Sequence, residues 1–316
     1  MPSSTVRLFT DPDDYAASVR QTTNGLTVPG RGRFTAQIIR IDLHQLWMQR
    51  FADSMARIMH IQDRGGRVIV SFWTKPGASV TWDGLDLGPT EIVRQRMGGS
   101  SFQRTAGRTW GGSMSLPLEC LDSISALIAG SDVAPPNDTL IAATPMGALE
   151  KLQRLHAAAG HLAENAPEVI ANPEAARGLE QSLIEALAGC LSTGDTSEER
   201  SARRRHEIIM RRFHQVIMEQ PDQAIYVPEI CKAIGVAERT LRLCCHEQLG
   251  ISPKQFLLAR RMQMSRRDLR RAIHGTTTVT EIASRYGFWD FGRFAAIYKV
   301  QFGELPSATL GTRPGS

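Results

Sequence analysis

"TVTEIASRYGFWDFGRFAAIYKVQFGELP", residues 278–306, decides how the C-terminal part of this chain is read. A stretch on the same plan lies earlier, "YVPEICKAIGVAERTLRLCCHEQLGISP", residues 226–253. Placing Val227 on Val279 brings Glu229 onto Glu281, Ile230 onto Ile282, Cys231 onto Ala283 and Gly235 onto Gly287. The second copy then carries one extra residue, after which Leu241 falls on Phe294, Leu249 on Phe302, Gly250 on Gly303 and Pro253 on Pro306. In each copy a short amphipathic helix (227–234, 279–286) is predicted to end at a glycine, which can take the left-handed backbone that a tight turn needs. A second helix follows (238–248, 291–301) and ends at another glycine. The small side chain at Cys231 or Ala283 lets the two helices approach closely. Two helices joined this way make a helix-turn-helix, whose second helix fits a major groove.

Between the copies runs "PKQFLLARRMQMSRRDLRRA", residues 253–272. Leu257, Leu258, Met262 and Leu269 supply apolar positions, and Arg260, Arg261, Arg266, Arg267, Arg270 and Arg271 crowd the rest. It reads as one long, stiff helix that would hold the two reading helices about one DNA turn apart, ~34 Å. From Arg200 onward there are 20 Lys/Arg and 10 Asp/Glu, leaving 17 basic and 22 acidic residues before it, so the net charge of +5 hides a basic C-terminal third. That split is the footprint of a nucleic-acid-binding module joined to something else. The excess of Arg over Lys suits phosphate and guanine contacts. A solvated helix surface is the other reading.

Residues 1–116 read as β-rich. Segments 33–42, 46–51, 56–62 and 67–73 are short, alternating or β-branched, with Gly- and Asp-rich breaks between them, as in a sandwich or small barrel. The period then changes. Helices are predicted over 116–130, 146–165 and 172–191, the last with Asn172 as N-cap and Pro173 in its first turn. "STGDTSEERSARRR", residues 192–205, is polar throughout and reads as a linker or a fraying helix start. The expected fold is therefore two-domain: a β-rich, sandwich or barrel-like N-terminal domain with following helices, and an all-α C-terminal domain with two helix-turn-helix motifs joined by a long helix. The boundaries are 1–195 for a regulatory domain (β-rich 1–116, helical 117–191), 196–204 for the linker and 205–310 for the DNA-binding domain.

Residues ~205–310 resemble the DNA-binding domain of the AraC/XylS family of bacterial transcription regulators. The family's second motif runs I-A-x-x-x-G-F, then to an aromatic, then F-G-x-x-P. Ile282, Ala283, Gly287, Phe288, Phe294, Phe302, Gly303 and Pro306 match it. The N-terminal part resembles the family's effector-binding or dimerisation domain in position and in its β-then-helix order. The resemblance implies a sequence-specific transcription regulator, an activator, that binds double-stranded operator or promoter DNA, works with RNA polymerase and senses a small-molecule effector, dimerises, or both.

In the first motif Glu238, Arg239 and Arg242 lie on the early exposed turn. Arg can pair with a guanine edge and Glu can accept from cytosine. Arg239 alternatively touches phosphate alone, and Thr240 touches a phosphate or a thymine methyl. By matching to the family, Trp289, Asp290, Phe291, Gly292, Arg293, Ala295 and Ala296 face the groove in the second motif. Few of these hydrogen-bond a base, so this half is expected to clamp backbone through Arg293, Lys299 and helix N-terminal amides; packing is the other reading of Trp289 and Phe291. In the β-rich part Trp47, Phe51, Phe72, Trp73 and Trp82 read as core or as effector-pocket walls, with Arg40, His44 and His60 orienting a carboxylate or hydroxyl. Leu149, Leu152, Leu155 and Leu162, then Leu179, Leu183, Leu187 and Leu191, form stripes that either dimerise or pack on the β domain.

No HxH with a nearby Glu, no GxSxG, no Walker loop and no GxGxxG is present, so no metal, cofactor or catalytic residue is expected and the chain reads as a non-enzyme. Adjacent side chains on a helix diverge by about 100°, which favours a structural role for Cys244 and Cys245. A DNA-repair enzyme or a metal-dependent β-barrel enzyme fused to a similar module is the alternative. The N-terminus lacks an apolar signal core, no run of ~18 apolar residues exists to span a membrane, and five cysteines show no CxxC; a cytoplasmic protein is expected.

Overall fold

The computed structural model describes residues 1–120, 139–145, 147–191, 201–220, 222–272 and 277–311. The chain divides into two compact units, one formed by most of residues 1–198, the other by 199–316 together with the short pieces 27–33 and 56–58.

The first unit begins with β1 (Ser3–Phe9) and a short helix α1 (Pro12–Ser18). Asp11 caps α1, its Oδ1 accepting from the backbone N–H of Asp13 and Asp14 at 2.9 and 3.1 Å. Strands β2 (Thr22–Thr27), β3 (Ala36–Asp42), β4 (Trp47–Asp53), β5 (Arg57–Asp63) and β6 (Arg67–Trp73) follow. Then come β7 (Val80–Trp82), β8 (Leu85–Asp86), β9 (Glu91–Arg94), β10 (Ser100–Thr105), β11 (Thr109–Pro117) and β12 (Leu140–Ala143). They make a seven-stranded sheet in the order β1-β3-β4-β11-β6-β9-β12, antiparallel at every step, and a five-stranded sheet in the order β2-β5-β10-β7-β8.

Three helices complete the unit: α2 (Ala148–Asn165), α3 (Pro167–Ala171) and α4 (Pro173–Leu191). Asn172 caps α4 as the sequence predicts, its Oδ1 accepting from Glu174 and Ala175 N–H. Because side chains alternate along a strand, one face of the large sheet carries Ile39, Ile41, Met48, Val70, Phe72, Ile92, Met114 and Leu116. These form one buried cluster with Leu149, Leu152, Leu183 and Leu187, and Leu155, Leu162, Leu179 and Leu191 pack against it. The leucine stripes are therefore spent on the sheet. Leu155, Leu162, Leu179 and Leu191 stay partly exposed at the edge of this cluster.

Two predicted helical stretches are corrected. Leu116 and Pro117 end strand β11, paired with Val68 and Arg67, because Leu116 continues the apolar face that Met114 begins. The rest of the helix expected over 116–130 lies, from residue 121, outside the described residues. Leu140–Ala143, inside the region read as helical, is a strand paired with β9, a run too short and apolar to turn a helix face to solvent.

The second unit is helical: α5 (Ser201–Glu219), α6 (Val227–Ile234), α7 (Glu238–Leu249), α8 (Pro253–Arg271), α9 (Val279–Arg285), α10 (Phe291–Phe302) and α11 (Pro306–Gly311). Residues 201–204, expected in the linker, belong to α5; the remainder of that linker lies outside the described residues. All four glycines that mark the repeat take positive φ: Gly235 at 70°, Gly250 at 69°, Gly287 at 74° and Gly303 at 79°.

How tightly α2 sits on the sheet is testable. His156 of α2 is fully buried, its Nδ1 2.8 Å from Arg50 Nη1 and its ring edge-on to Phe72. A Cβ on Gly112 would fall 2.6 Å from His156 Cε1 and 3.0 Å from the Phe72 ring. Gly112→Ala is therefore expected to destabilise this unit by about 1–3 kcal/mol through overpacking. Urea unfolding of the full-length protein reads the change, and an unshifted midpoint would show that the helix layer can move aside.

Candidate nucleic-acid interface

The inward side of α7 is apolar. Leu241, Cys244, Cys245 and Leu249 are buried, joining Ile230 and Ile234 of α6. Burial raises the thiols of Cys231, Cys244 and Cys245 above the ordinary range, Cys244 to about 11, so these side chains stay protonated and act as small apolar groups. Filling one side at this period leaves Glu238, Arg239, Arg242, Leu243 and His246 exposed on the other, with Thr240 half-buried at the edge.

Arg242 Nη2 donates to Glu238 Oε1 at 2.8 Å, one turn apart, and both side chains are more than half exposed. An exposed pair of this kind holds by only ~0.3–0.5 kcal/mol and is easily displaced by a phosphate or a base. Arg239 has no hydrogen-bond or ion-pair partner among the described residues. Sequence reading did not single out Leu243, which is 51% exposed one turn beyond Arg239. The signal was present: once Leu241, Cys244 and Cys245 are inside, position 243 must point out.

In the second motif Ile282, Ala283, Tyr286, Phe294 and Tyr298 are buried. A run of ring contacts, Phe288 to Phe294, Phe294 to Tyr298 and Tyr298 to Phe302, fills the inner side of α10. Trp289 is 85% exposed and Phe291 39%, so packing does not account for Trp289. Asp290 is the N-cap of α10, its Oδ1 accepting from Arg293 N–H at 2.9 Å, which gives its carboxylate a structural task. Arg293 and Lys299 are exposed and their side chains have no partner among the described residues. Ala296 and Val300 are exposed beside them.

The arginine run of α8 is largely turned inward. Arg260 donates to the carbonyls of Ile217, Gln220 and Gln223, closing the end of α5. Arg266 pairs with Glu304 and lies over Phe302, and Arg267 pairs with Asp222. These charges hold the domain together and are not simply a solvated surface.

The four residues proposed from sequence to hold an effector separate. Arg40 and Trp73 lie on the face of the large sheet opposite the helices, together with Gln49, Ser71 and Ser113. Polar groups meet on this face beside the buried Ile38, Ile69 and Val93: Gln49 donates to Ser113 Oγ, and Gln95 to the half-buried Ser71 Oγ. Arg7, Arg20 and Arg40 gather at its end beside Asp42. Burial first, then the charges of Arg20 and Arg7, holds the Arg40 guanidinium below its usual range. His44 is excluded from this group. It sits exposed in the turn between β3 and β4, with Nε2 3.2 Å from the Pro173 carbonyl oxygen. His60 is on the other sheet, buried edge-on against Phe102, and burial pushes its imidazole down to about 3. Phe72, adjacent to Trp73, necessarily points the other way into the helix layer. Among the described residues no three His, Cys, Asp or Glu side chains gather as a metal site, and no helix is long and apolar enough to cross a membrane.

Residues 230–312 match a family model described as a helix-turn-helix domain. Over 92 residues the chain is 42% identical to the Rhodococcus erythropolis protein named "Probable thc operon regulatory protein", a match covering 29% of this chain and 28% of that one. Over 102 residues it is 33% identical to XylDLEGF operon transcriptional activator 3 of Pseudomonas putida, covering 32% and 31%. The chain thus spans under a third of the length of either relative. Among solved structures, the AraC-like transcriptional activator CuxR aligns over 84% of this chain and 96% of its own at a TM-score of 0.45 and 13% identity. Fatty-acid-bound ToxT from Vibrio cholerae aligns over 86% and 98% at 0.32 and 11%.

The exposed face of α7 generates a prediction about specificity. Arg239→Ala and Arg242→Ala are each expected to cost roughly 1–3 kcal/mol on a selected duplex and much less on random DNA. Leu243→Ser is expected to lose discrimination at a thymine position with little change in salt dependence. Gel-shift titrations on both DNAs check this; equal losses on selected and random duplexes would reduce the two arginines to phosphate contacts.

Proposed function

We propose that this chain, whose C-terminal domain is a helix-turn-helix DNA-binding domain of the AraC/XylS type, is a transcription regulator that activates its target by binding double-stranded operator or promoter DNA. Helices α7 and α10 enter successive major grooves. Arg239, Arg242, Glu238 and Leu243 read bases, with Thr240 and His246 at the edge. Arg293, Lys299 and Trp289 hold the second half-site mainly by its backbone. The reading rests on one observation: each motif fills one side of its second helix with core side chains and leaves the other side free, α7 charged and α10 small and apolar with two cations. The regulator names of the relatives favour this over a DNA-repair or metal-dependent enzyme carrying a similar module. As an activator it works in the cytoplasm and with RNA polymerase.

The N-terminal unit is, in this proposal, the sensor. A largely buried sheet face on which Gln49, Ser71 and Ser113 lie beside Ile38, Ile69 and Val93, with Arg7, Arg20 and Arg40 at one end, suits a small effector bearing a carboxylate or hydroxyl. Such an effector acts only if it binds the DNA-competent state better than the other. Homodimerisation also belongs to the proposal, with the partly exposed Leu155, Leu162, Leu179 and Leu191 of α2 and α4 as the apolar positions still available to a second copy.

Full-length protein is expected to enrich a defined sequence from a random duplex pool, with affinity falling steeply as salt rises. Failure to enrich any sequence at low salt would sink the regulator reading. For the sensor, a carboxylate that raises the melting temperature of wild-type protein is expected to lose that effect in Arg40→Met. An undiminished shift would move the site elsewhere.

A further inference from the structure

Arg261 of α8 places its guanidinium over rings from both motifs. Its Cζ is 5.2 Å from the ring centroid of Tyr226, immediately before α6, and 5.1 Å from that of Phe288, in the turn before α10. Its Nε is buried without a hydrogen-bond partner, so the ring faces are a main part of what holds it. An aliphatic side chain would fill such a place without the cost of desolvating a cation. What a guanidinium adds is a flat cation that attracts both rings at once and so ties the two together.

The turn of the second motif supplies the seat. Gly287 has φ +74°, and a Cβ there would fall 2.3 Å from Tyr226 Oη and 3.4 Å from Arg261 Nη1. The hydroxyl of a first-motif residue therefore rests on the backbone of the second-motif turn. Two helical turns further along α8 a second layer repeats the arrangement. Arg267 holds Asp222 at 2.6 Å, in the segment leading to α6. Asp268 accepts from Tyr286 Oη at 2.7 Å and from Arg285 Nη1 at 3.0 Å, at the end of α9.

We propose that the Tyr226–Arg261–Phe288 stack, seated on Gly287, is a joint that fixes the first motif against the second and thereby sets the half-site spacing this protein accepts. Arg261 is a positioning residue, and the inference rests on the reading of α7 and α10 as the DNA-contacting helices. A long helix alone fixes the distance between two motifs but leaves each free to rock about its own connection. The joint removes that freedom at the point where the start of α6 and the turn of the second motif meet α8.

The test uses full-length protein and a duplex selected by wild type from a random pool, with its two half-sites mapped by base substitution. Duplexes with one base pair removed from or added to the spacer, and a duplex keeping only the first half-site, complete the set. Wild type is expected to lose about tenfold or more on either altered spacer. Arg261→Met keeps the stem and removes the cation. It is expected to bind the native spacing about tenfold more weakly, to discriminate between spacers by about threefold or less, and to bind the single half-site within about twofold of wild type. Its salt slope is expected to match wild type, and Arg261→Lys is expected to recover part of the spacing preference. If Arg261→Met does not fold, Tyr226→Leu, at a position 44% exposed, carries the same test. An unchanged spacing profile overturns the joint. So does an equal loss on the single half-site, which would mean support of one motif only, or a reduced salt slope with normal spacing preference, which would mean a phosphate contact. A wild-type protein that selects no sequence fails earlier, and that result tells against the DNA-binding reading and not against the joint.

Discussion

Burial of one stripe on each short helix is the constraint from which the candidate interface follows. A 12-residue helix such as α7 is marginal in water and persists because Leu241, Cys244, Cys245 and Leu249 leave solvent together. Once those positions are fixed, the identity of the exposed residues is no longer a matter of choice. The same rule applied to α10 turns Phe294 and Tyr298 inward, and leaves Trp289, Arg293, Ala296 and Lys299 in solvent. The two helices share a plan and differ in what they show. One offers hydrogen-bonding groups, already partly satisfied by the Glu238–Arg242 pair, and the other offers small and apolar surface flanked by cations.

Much of this was legible beforehand, for a physical reason. Glycines that must take a left-handed backbone are few, and a repeat that places four of them at matched positions admits few folds; Gly235, Gly250, Gly287 and Gly303 all take that backbone. The four strands read from short alternating or β-branched runs between Gly- and Asp-rich breaks appear at β3 to β6. The pairing was not legible. Nothing local in Thr109–Pro117 says that it lies between β4 and β6, since pairing depends on partners far along the chain. The polar groups on the inner face of the large sheet were also hidden. Gln49, Ser71 and Ser113 in strands look like solvent-facing positions, and only a second layer makes them interior. His44 and His60 were grouped by residue type, and topology put one in a turn and the other in the second sheet.

The arginines of α8 show how composition can be right about a domain and silent about its parts. A basic segment is expected of a nucleic-acid-binding module, and charge counting cannot distinguish an arginine that meets phosphate from one that meets a carbonyl. Arg260 spends its donors on three carbonyls at the end of α5, and Arg267 spends one on Asp222. The three bonds of Arg260 use the planar, wide fork of the guanidinium, which lysine lacks. The excess of Arg over Lys in this segment therefore has a structural cause as well as an electrostatic one.

The placement of β11 also governs how the first unit comes into being. It is the central strand of the seven-stranded sheet, joining β1-β3-β4 on one side to β6-β9-β12 on the other, and it is made after all of them except β12. A chain emerging during synthesis holds two separate half-sheets until Thr109–Pro117 arrives, each with an open ladder of unpaired N–H and C=O groups along β4 or β6. Such edges recruit strands from other chains. The interval between completing Arg67–Trp73 and delivering β11 is thus the stage at which this polypeptide is most exposed to misassembly, and the delay is written into the order of its strands.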